Sequence, residues 1–233
     1  MTNENKRNTQ ASEIVLVVAA HPDDEVLGCG GTIARHAENG DKVHVLILAD
    51  GETSRQQAGE VSQRWACAER AASILGIRLH KMLGFPDNRL DEIALLEVVR
   101  EIESAVSQLK PTVVYTHHGG DLNIDHQIAC RAVMTACRPL PGSTVNAVYT
   151  FETVSSTEWA VPQLDHVFLP VRVVDISGTM QKKMAALHCY DSEMRSFPHA
   201  RSYEVVEHLA RVRGAQFGLP VAEAFGVLRQ ICR

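Results

Sequence analysis

Residues 13–25 read EIVLVVAAHPDDE, and this stretch decides the fold. Residues 14–20 are continuously apolar and rich in β-branched side chains, the pattern of a strand buried on both faces. The strand turns directly into a helical pattern over 25–38 (Val26, Ile33, Ala34, Ala37), which stops at Asn39-Gly40. The alternation repeats outward from there. KVHVLILAD (42–50) is a second buried strand, and a helix over 54–75 closes on Gly76, where a C-terminal glycine belongs. A strand over 78–85 precedes a helix over 91–109 stopped by Pro111; a strand over 112–118 precedes a helix over 125–137 halted by Pro139. Strands over 145–152 and 166–176 and helices near 177–190 and 202–217 complete the chain. Residues 1–12 read as a disordered leader and 13–233 as one domain. Buried, non-alternating strands separated by helices predict a single doubly wound, Rossmann-like α/β domain. Its sheet is mostly parallel, of about five to six strands, with helices on both faces.

Composition narrows the function. The 233 residues are 45% hydrophobic and 22% charged, which excludes disorder and coiled-coil architectures. A net charge of −5 gives no global basic field for nucleic acid or an anionic membrane. The run 14–20 is far short of the roughly 20 apolar residues of a membrane span. The N-terminal MTNENKRNTQASE lacks the apolar segment of a signal peptide, so a cytoplasmic protein is expected. Six cysteines without a CxxC pair read as reduced, mostly buried thiols. Apolar positions in the C-terminal helices leave a homo-oligomer open.

In open parallel sheets ligands bind beyond the carboxyl ends of the strands. Polar clusters stand at four such ends: 21–25, 50–52, 84–89 and 117–126. In AHPDDE (20–25), three acids and a histidine crowd the mouth of a hydrophobic strand. A helix N-terminus offers only about half a positive charge, whereas a divalent metal neutralises the set. His21 and Asp24, across a turn at Pro22, face one point, and His126 in HHGGDLNIDH (117–126) is the third ligand. Two histidines and a carboxylate with an open position form a common catalytic zinc arrangement that also holds Fe(II) or another divalent metal. Asp23 is then left as general base for metal-bound water, whose pKa zinc lowers to about 7. The reaction class is metal-assisted hydrolysis of an amide or ester. The plainer alternative, HPDDE as a helix-capping turn, leaves the second cluster unexplained.

AHPDDE after the first strand, with a later (H/N)xDH, resembles the PIG-L/LmbE family of zinc-dependent N-deacetylases, over about residues 13–225. Its members remove acetyl groups from N-acetylglucosamine-type sugars. The resemblance implies zinc on His21, Asp24 and His126, Asp23 as base, and a small N-acetylated sugar as substrate. It also implies that Arg64, in RxxxxxxAxxxLG, reaches that substrate. Two positions depart from the family: Cys67 stands where Glu is usual, and Asn123 opens NIDH where many members read HPDH. Asn123 can donate to an oxyanion but cannot shuttle a proton. Protonation of the leaving amine then falls to Asp23, His118 or His199, and Asp125 orients a neighbour by hydrogen bonding. Asp87 and Arg89 in the 84–91 loop suit sugar hydroxyls, and Ser155, Ser156, Thr157 and Trp159 suit a glycan. FPHARS (197–202) and VAEAF (221–225) resemble the segments that close the site, which brings in His199.

Rival readings are weaker. Gly28-Cys29-Gly30-Gly31 with Asp50 imitates a dinucleotide site, but Ile33 stands where the third glycine is required. A structural zinc site prefers four closed ligands, often cysteine, and neither cluster contains one. An amidase acting on a non-sugar acyl amide stays open.

Overall fold

The apolar run becomes strand β1 (Ile14–Ala19), with all but its first residue buried, and β2 (Lys42–Ala49) lies parallel beside it. This is a computed structural model that describes residues 12–54, 61–164 and 166–232. The expected leader, apart from Ser12, and positions 55–60 of the expected 54–75 helix lie outside the described residues.

Helices α1 (Asp24–Glu38) and α2 (Val61–Leu75), strand β3 (Arg78–Phe85), α3 (Leu95–Leu109), β4 (Val113–His117), α4 (Ile124–Ala136) and β5 (Ala147–Phe151) continue the alternation. β6 (Arg172–Asp175), α5 (Met180–Leu187), α6 (Tyr203–Ala215) and β7 (Ala222–Gln230) end the chain. The sheet order is β3-β2-β1-β4-β5-β7-β6. All pairings are parallel except those of β7, which runs antiparallel to both β5 and β6.

The single α/β domain with a mostly parallel sheet stands as expected, with seven strands rather than five to six. The extra strand is β7, whose AEAFGVLRQ carries Glu223 and Arg229 and is half-exposed beyond Phe225, so no apolar run announces it. The expected strand over 166–176 is ordered as strand only from Arg172, because Pro170 removes a ladder donor just before it.

Successive β1 residues face opposite layers. Val15 and Val17 pack with Ile33 of α1, Leu75 of α2 and Leu187 of α5. Leu16 and Val18 pack with Ile102 of α3 and Val133 of α4. Both faces are therefore helix-covered, which is why β1 is apolar throughout and β2 and β4 are largely so. No helix among the described residues is long and apolar enough to cross a membrane.

The order positions the site. From β1 the chain steps outward to β2 and β3, then returns to β4 on the other side of β1. At this reversal the loops leaving β1 and β4 part in opposite directions and open a crevice at the carboxyl edge.

Candidate metal centre

The loop after β1 carries His21 and Asp23, Asp24 begins α1, and His126 lies in the first turn of α4 beyond β4. The switch point brings the three expected ligands together: one donor atom each from His21, Asp24 and His126 lie within 4.8 Å of one another. Asp24 is the hub. Its Oδ2 accepts the His21 amide (2.9 Å) and lies 3.2 Å from His21 Nδ1, 3.3 Å from His126 Nε2 and 3.4 Å from His117 Nε2. Its Oδ1 is buried with no hydrogen-bond partner. An orphaned carboxylate oxygen is costly inside a protein. Beside two imidazoles it fits a divalent cation, and the donor set is a metal-ligating one.

Carboxylates hold the imidazoles in place. His21 Nε2 lies 2.9 Å from Asp125 Oδ2 and 3.0 Å from Asp87 Oδ1. Asp125 is fully buried and also accepts the Asn88 amide (2.8 Å) and the Leu90 amide (2.9 Å). Asp87 is tied further to Ser54 and to Thr53 Oγ1, which accepts its amide. His126 Nδ1 faces Asp121 Oδ1 at 3.1 Å, and Asp121 accepts Ser156 Oγ and Thr157 Oγ1. Each histidine thus has a carboxylate behind it, the arrangement that fixes ring orientation at metal sites.

His117 ends β4, fully buried, stacked on His126 with ring centroids 3.8 Å apart. Its Nε2 accepts the Ala20 amide (2.9 Å), and burial and the neighbouring His126 push its pKa down to about 3. It is a neutral spacer between strand and ligand. Burial pulls His126 down too, but Asp24 and Asp121 outweigh it and lift His126 to about 9. Burial raises Asp23 to about 6 against the opposing pull of Arg201.

Asp23 Oδ2 accepts Arg201 Nη1 at 2.9 Å, and Arg201 Nε donates to Ser155 Oγ at 3.0 Å. Arg64 is buried between Glu52 and Glu193, bonded to both. Asp23, Arg64, Glu193 and Arg201, with His21, Asp87, Asn88 and Asn123, line a cavity of about 110 Å³. Asn123 caps α4, its Oδ1 accepting the Asp125 amide (2.8 Å), and its Nδ2 donates to Asn88 Oδ1 (3.0 Å).

His21, Asp23, Asp24, Arg64, Asp87, Asn123, Asp125 and His126 are thus gathered at one edge. His199 is not among them: it is exposed, its Nδ1 accepts the Arg201 amide (3.0 Å), and its ring meets exposed Trp159 at 5.8 Å. The residue of FPHARS that enters the site is Arg201, two positions on. Sequence reasoning missed Arg201, His117 and Asp121. The motifs quoted for other reasons contained all three, but their partners lie elsewhere in the chain.

Fold and site together define an α/β protein with a His/Asp/His cluster, of the kind that could hold a metal ion, at the switch point of its sheet. Residues 16–137 match the family model described as PIG-L, GlcNAc-PI de-N-acetylase, and the chain belongs to this family. It is 29% identical over 155 residues to the uncharacterized deacetylase YaiS of Escherichia coli K12, covering 64% of this chain and 79% of that protein. It is 30% identical over 197 residues to the 4-oxalmesaconate hydratase of Pseudomonas putida, covering 75% of this chain and 71% of that one. The structure of the conserved protein TT1542 from Thermus thermophilus superposes with a TM-score of 0.74 at 27% identity, covering 94% of this chain and 96% of that one.

Proposed function

We propose that this chain is a zinc-dependent N-deacetylase that removes the acetyl group from a small N-acetylated amino sugar. The observation that carries the reading is the carboxylate of Asp23, outside the candidate ligand set, beside the His21–Asp24–His126 cluster in a member of this family. A divalent cation there supplies Lewis acidity for the acyl carbonyl and for water. Asp23 accepts the proton of the water that attacks the acetyl carbon. Arg201 holds the Asp23 carboxylate in position for it. The remaining N–H of the Asn123 amide and the Arg64 guanidinium line the same cavity, set to meet the developing oxyanion and a sugar hydroxyl. The C–N bond then breaks, Asp23 returns its proton to the departing amine, and acetate and a free amino sugar result. Asp125 and Asp87 act by holding His21.

Hydration, the reaction named for the Pseudomonas relative, is a second reading. Against it, both guanidiniums of the cavity already face carboxylates, Arg64 two of them and Arg201 that of Asp23, which suits an uncharged ring better than an acid.

Acetate release from N-acetylglucosamine, its UDP form and other N-acetylated sugars tests the reading, with metal content by elemental analysis. Asp23→Ala is expected to keep the metal and lose activity about 10²–10⁴-fold, whereas His126→Ala loses the metal itself. Near wild-type turnover in Asp23→Ala would remove Asp23 from the chemistry. A metal-loaded protein that turns over no N-acetylated sugar would overturn the substrate class.

A further inference from the structure

A second polar cavity, of about 440 Å³, lies between the later turns of α1 and the edge strand β6, and it shares no lining residue with the metal-centre cavity. Thr32, Arg35, His36 and Asn39 form one wall, and Arg172 and Asp175 stand in the other. Two polar groups in these walls are left over by folding. Thr32 is 1% exposed, yet its Oγ1 has no hydrogen-bond partner. Arg172 Nε is likewise buried and unpartnered. Folded proteins leave few such groups, and an ordered water or ligand usually accounts for them.

Arg172 is held in place without being neutralised. Its guanidinium lies over the Tyr149 ring, 4.4 Å from the centroid, and hydrogen-bonds the Tyr115 hydroxyl, and it makes no ion pair among the described residues. Of the nearby acids, Asp41 takes His36 Nδ1 at 2.6 Å, whereas Asp175 stands in the wall itself. Its Oδ1 accepts the Ser177 amide at 2.8 Å, and its carboxylate is stabilised by Ser177 and by the charge of Arg35. Arg35, the second guanidinium, donates to the Asp175 carbonyl rather than to a carboxylate. Two guanidiniums and an amide line this open cleft as donors, and planar guanidinium forks match oxyanions. The apolar Val173 and Val174 in the same wall suit a short carbon skeleton behind the anionic head.

We propose that this cavity is a second binding site, separate from the metal centre, for the oxyanion head of a small phosphate- or carboxylate-bearing metabolite, with Arg172 as its principal ligand. Isothermal titration of the metal-loaded protein with inorganic phosphate, and separately with succinate, at constant ionic strength tests it. One saturable site per chain is expected for at least one of the two. Arg172→Met should weaken it at least about tenfold, the loss of a charge-assisted contact. His126→Ala should leave it unchanged. Arg172→Lys keeps the charge over Tyr149 but not the fork, so weakened binding at an unchanged melting temperature separates recognition from misfolding. Phosphate binding without succinate binding assigns a phosphate head, and the reverse a carboxylate. The proposal is overturned by no saturable binding of either anion or by full-strength binding to Arg172→Met. Loss of binding in His126→Ala overturns it too, since the anion would then sit at the metal centre.

Discussion

Asp23 has φ 118° and ψ −28°, a backbone conformation that costs a residue with a Cβ about 1–3 kcal/mol. The surroundings impose it. The Asp23 amide donates to Glu25 Oε2 (3.1 Å), its carbonyl accepts the Val26 and Leu27 amides (3.0 and 2.9 Å), and Arg201 holds its carboxylate. Glu25, pushed up to about 7 by burial, is braced in turn by the Tyr190 hydroxyl at 2.7 Å. The strain turns the Asp23 side chain into the cavity beside Asp24 instead of along the helix. Because the conformation serves the site and not the fold, Asp23→Gly is expected to be at least as stable as wild type. A gain of about 1 kcal/mol in urea unfolding, together with lost deacetylation, is the expected pair of results. A variant destabilised by more than about 1 kcal/mol would mean that the Asp23–Arg201 contact, not the backbone, dominates at this position.

At the scale of the element, α1 is two helices joined at a break. Cys29 has φ −145° and ψ 19°, and the chain around it is Gly28-Cys29-Gly30-Gly31. The glycines permit close contact: a Cβ on Gly28 would stand 2.1 Å from Phe151 Cδ2, and one on Gly31 2.8 Å from Ile176 Cδ1. The break frees backbone groups, and a buried ion pair takes them. Glu223 accepts the Gly31 amide (3.0 Å) and the Thr32 amide (2.7 Å), while Lys183 Nζ donates to the Leu27 carbonyl (2.8 Å). Lys183 and Glu223 then meet each other at 2.6 Å. The glycine run that imitates a dinucleotide motif is therefore a packing device that lets α1 approach β5, α5 and Ile176 after β6. Removing one partner leaves a buried charge and orphaned amides, so Glu223→Gln or Lys183→Met should each cost about 3–5 kcal/mol. The double variant should cost clearly less than their sum, measured as a double-mutant cycle in urea. Additivity within about 0.5 kcal/mol would show that the two side chains act independently.

Across the whole molecule, what the sequence reveals follows from where its determinants lie. Strands β1, β2 and β4 sit inside a helix-covered sheet, so β1 is an unbroken apolar run and β2 and β4 are apolar but for Lys42, His44, Thr116 and His117, which leaves all three legible alone. β7 is antiparallel and partly exposed, and its identity depends on pairing with β5 and β6. Likewise His21, Asp23 and Asp24 are legible because they are neighbours at a strand end. Arg201 meets Asp23 across 178 residues, and no local pattern announces such a contact. The thiols follow the same local logic, and the fold sorts them. Cys29, Cys130 and Cys137 are buried in the helix layers, Cys67 and Cys189 half-buried, and Cys232 exposed. Burial raises Cys29 well above the ordinary thiol range and Cys130 and Cys137 to about 11. Since the thiolate is the reactive form, iodoacetamide at pH 8 should label Cys232 first. Cys67 and Cys189 should follow more slowly, and the other three should react only when the protein unfolds, as peptide mapping by mass spectrometry would show. At pH 9 the buried three should still be protected, because their thiols stay protonated there. Early labelling of Cys29 would instead mean that α1 lifts from the sheet at its break, and the Lys183–Glu223 pair would then be holding a hinge.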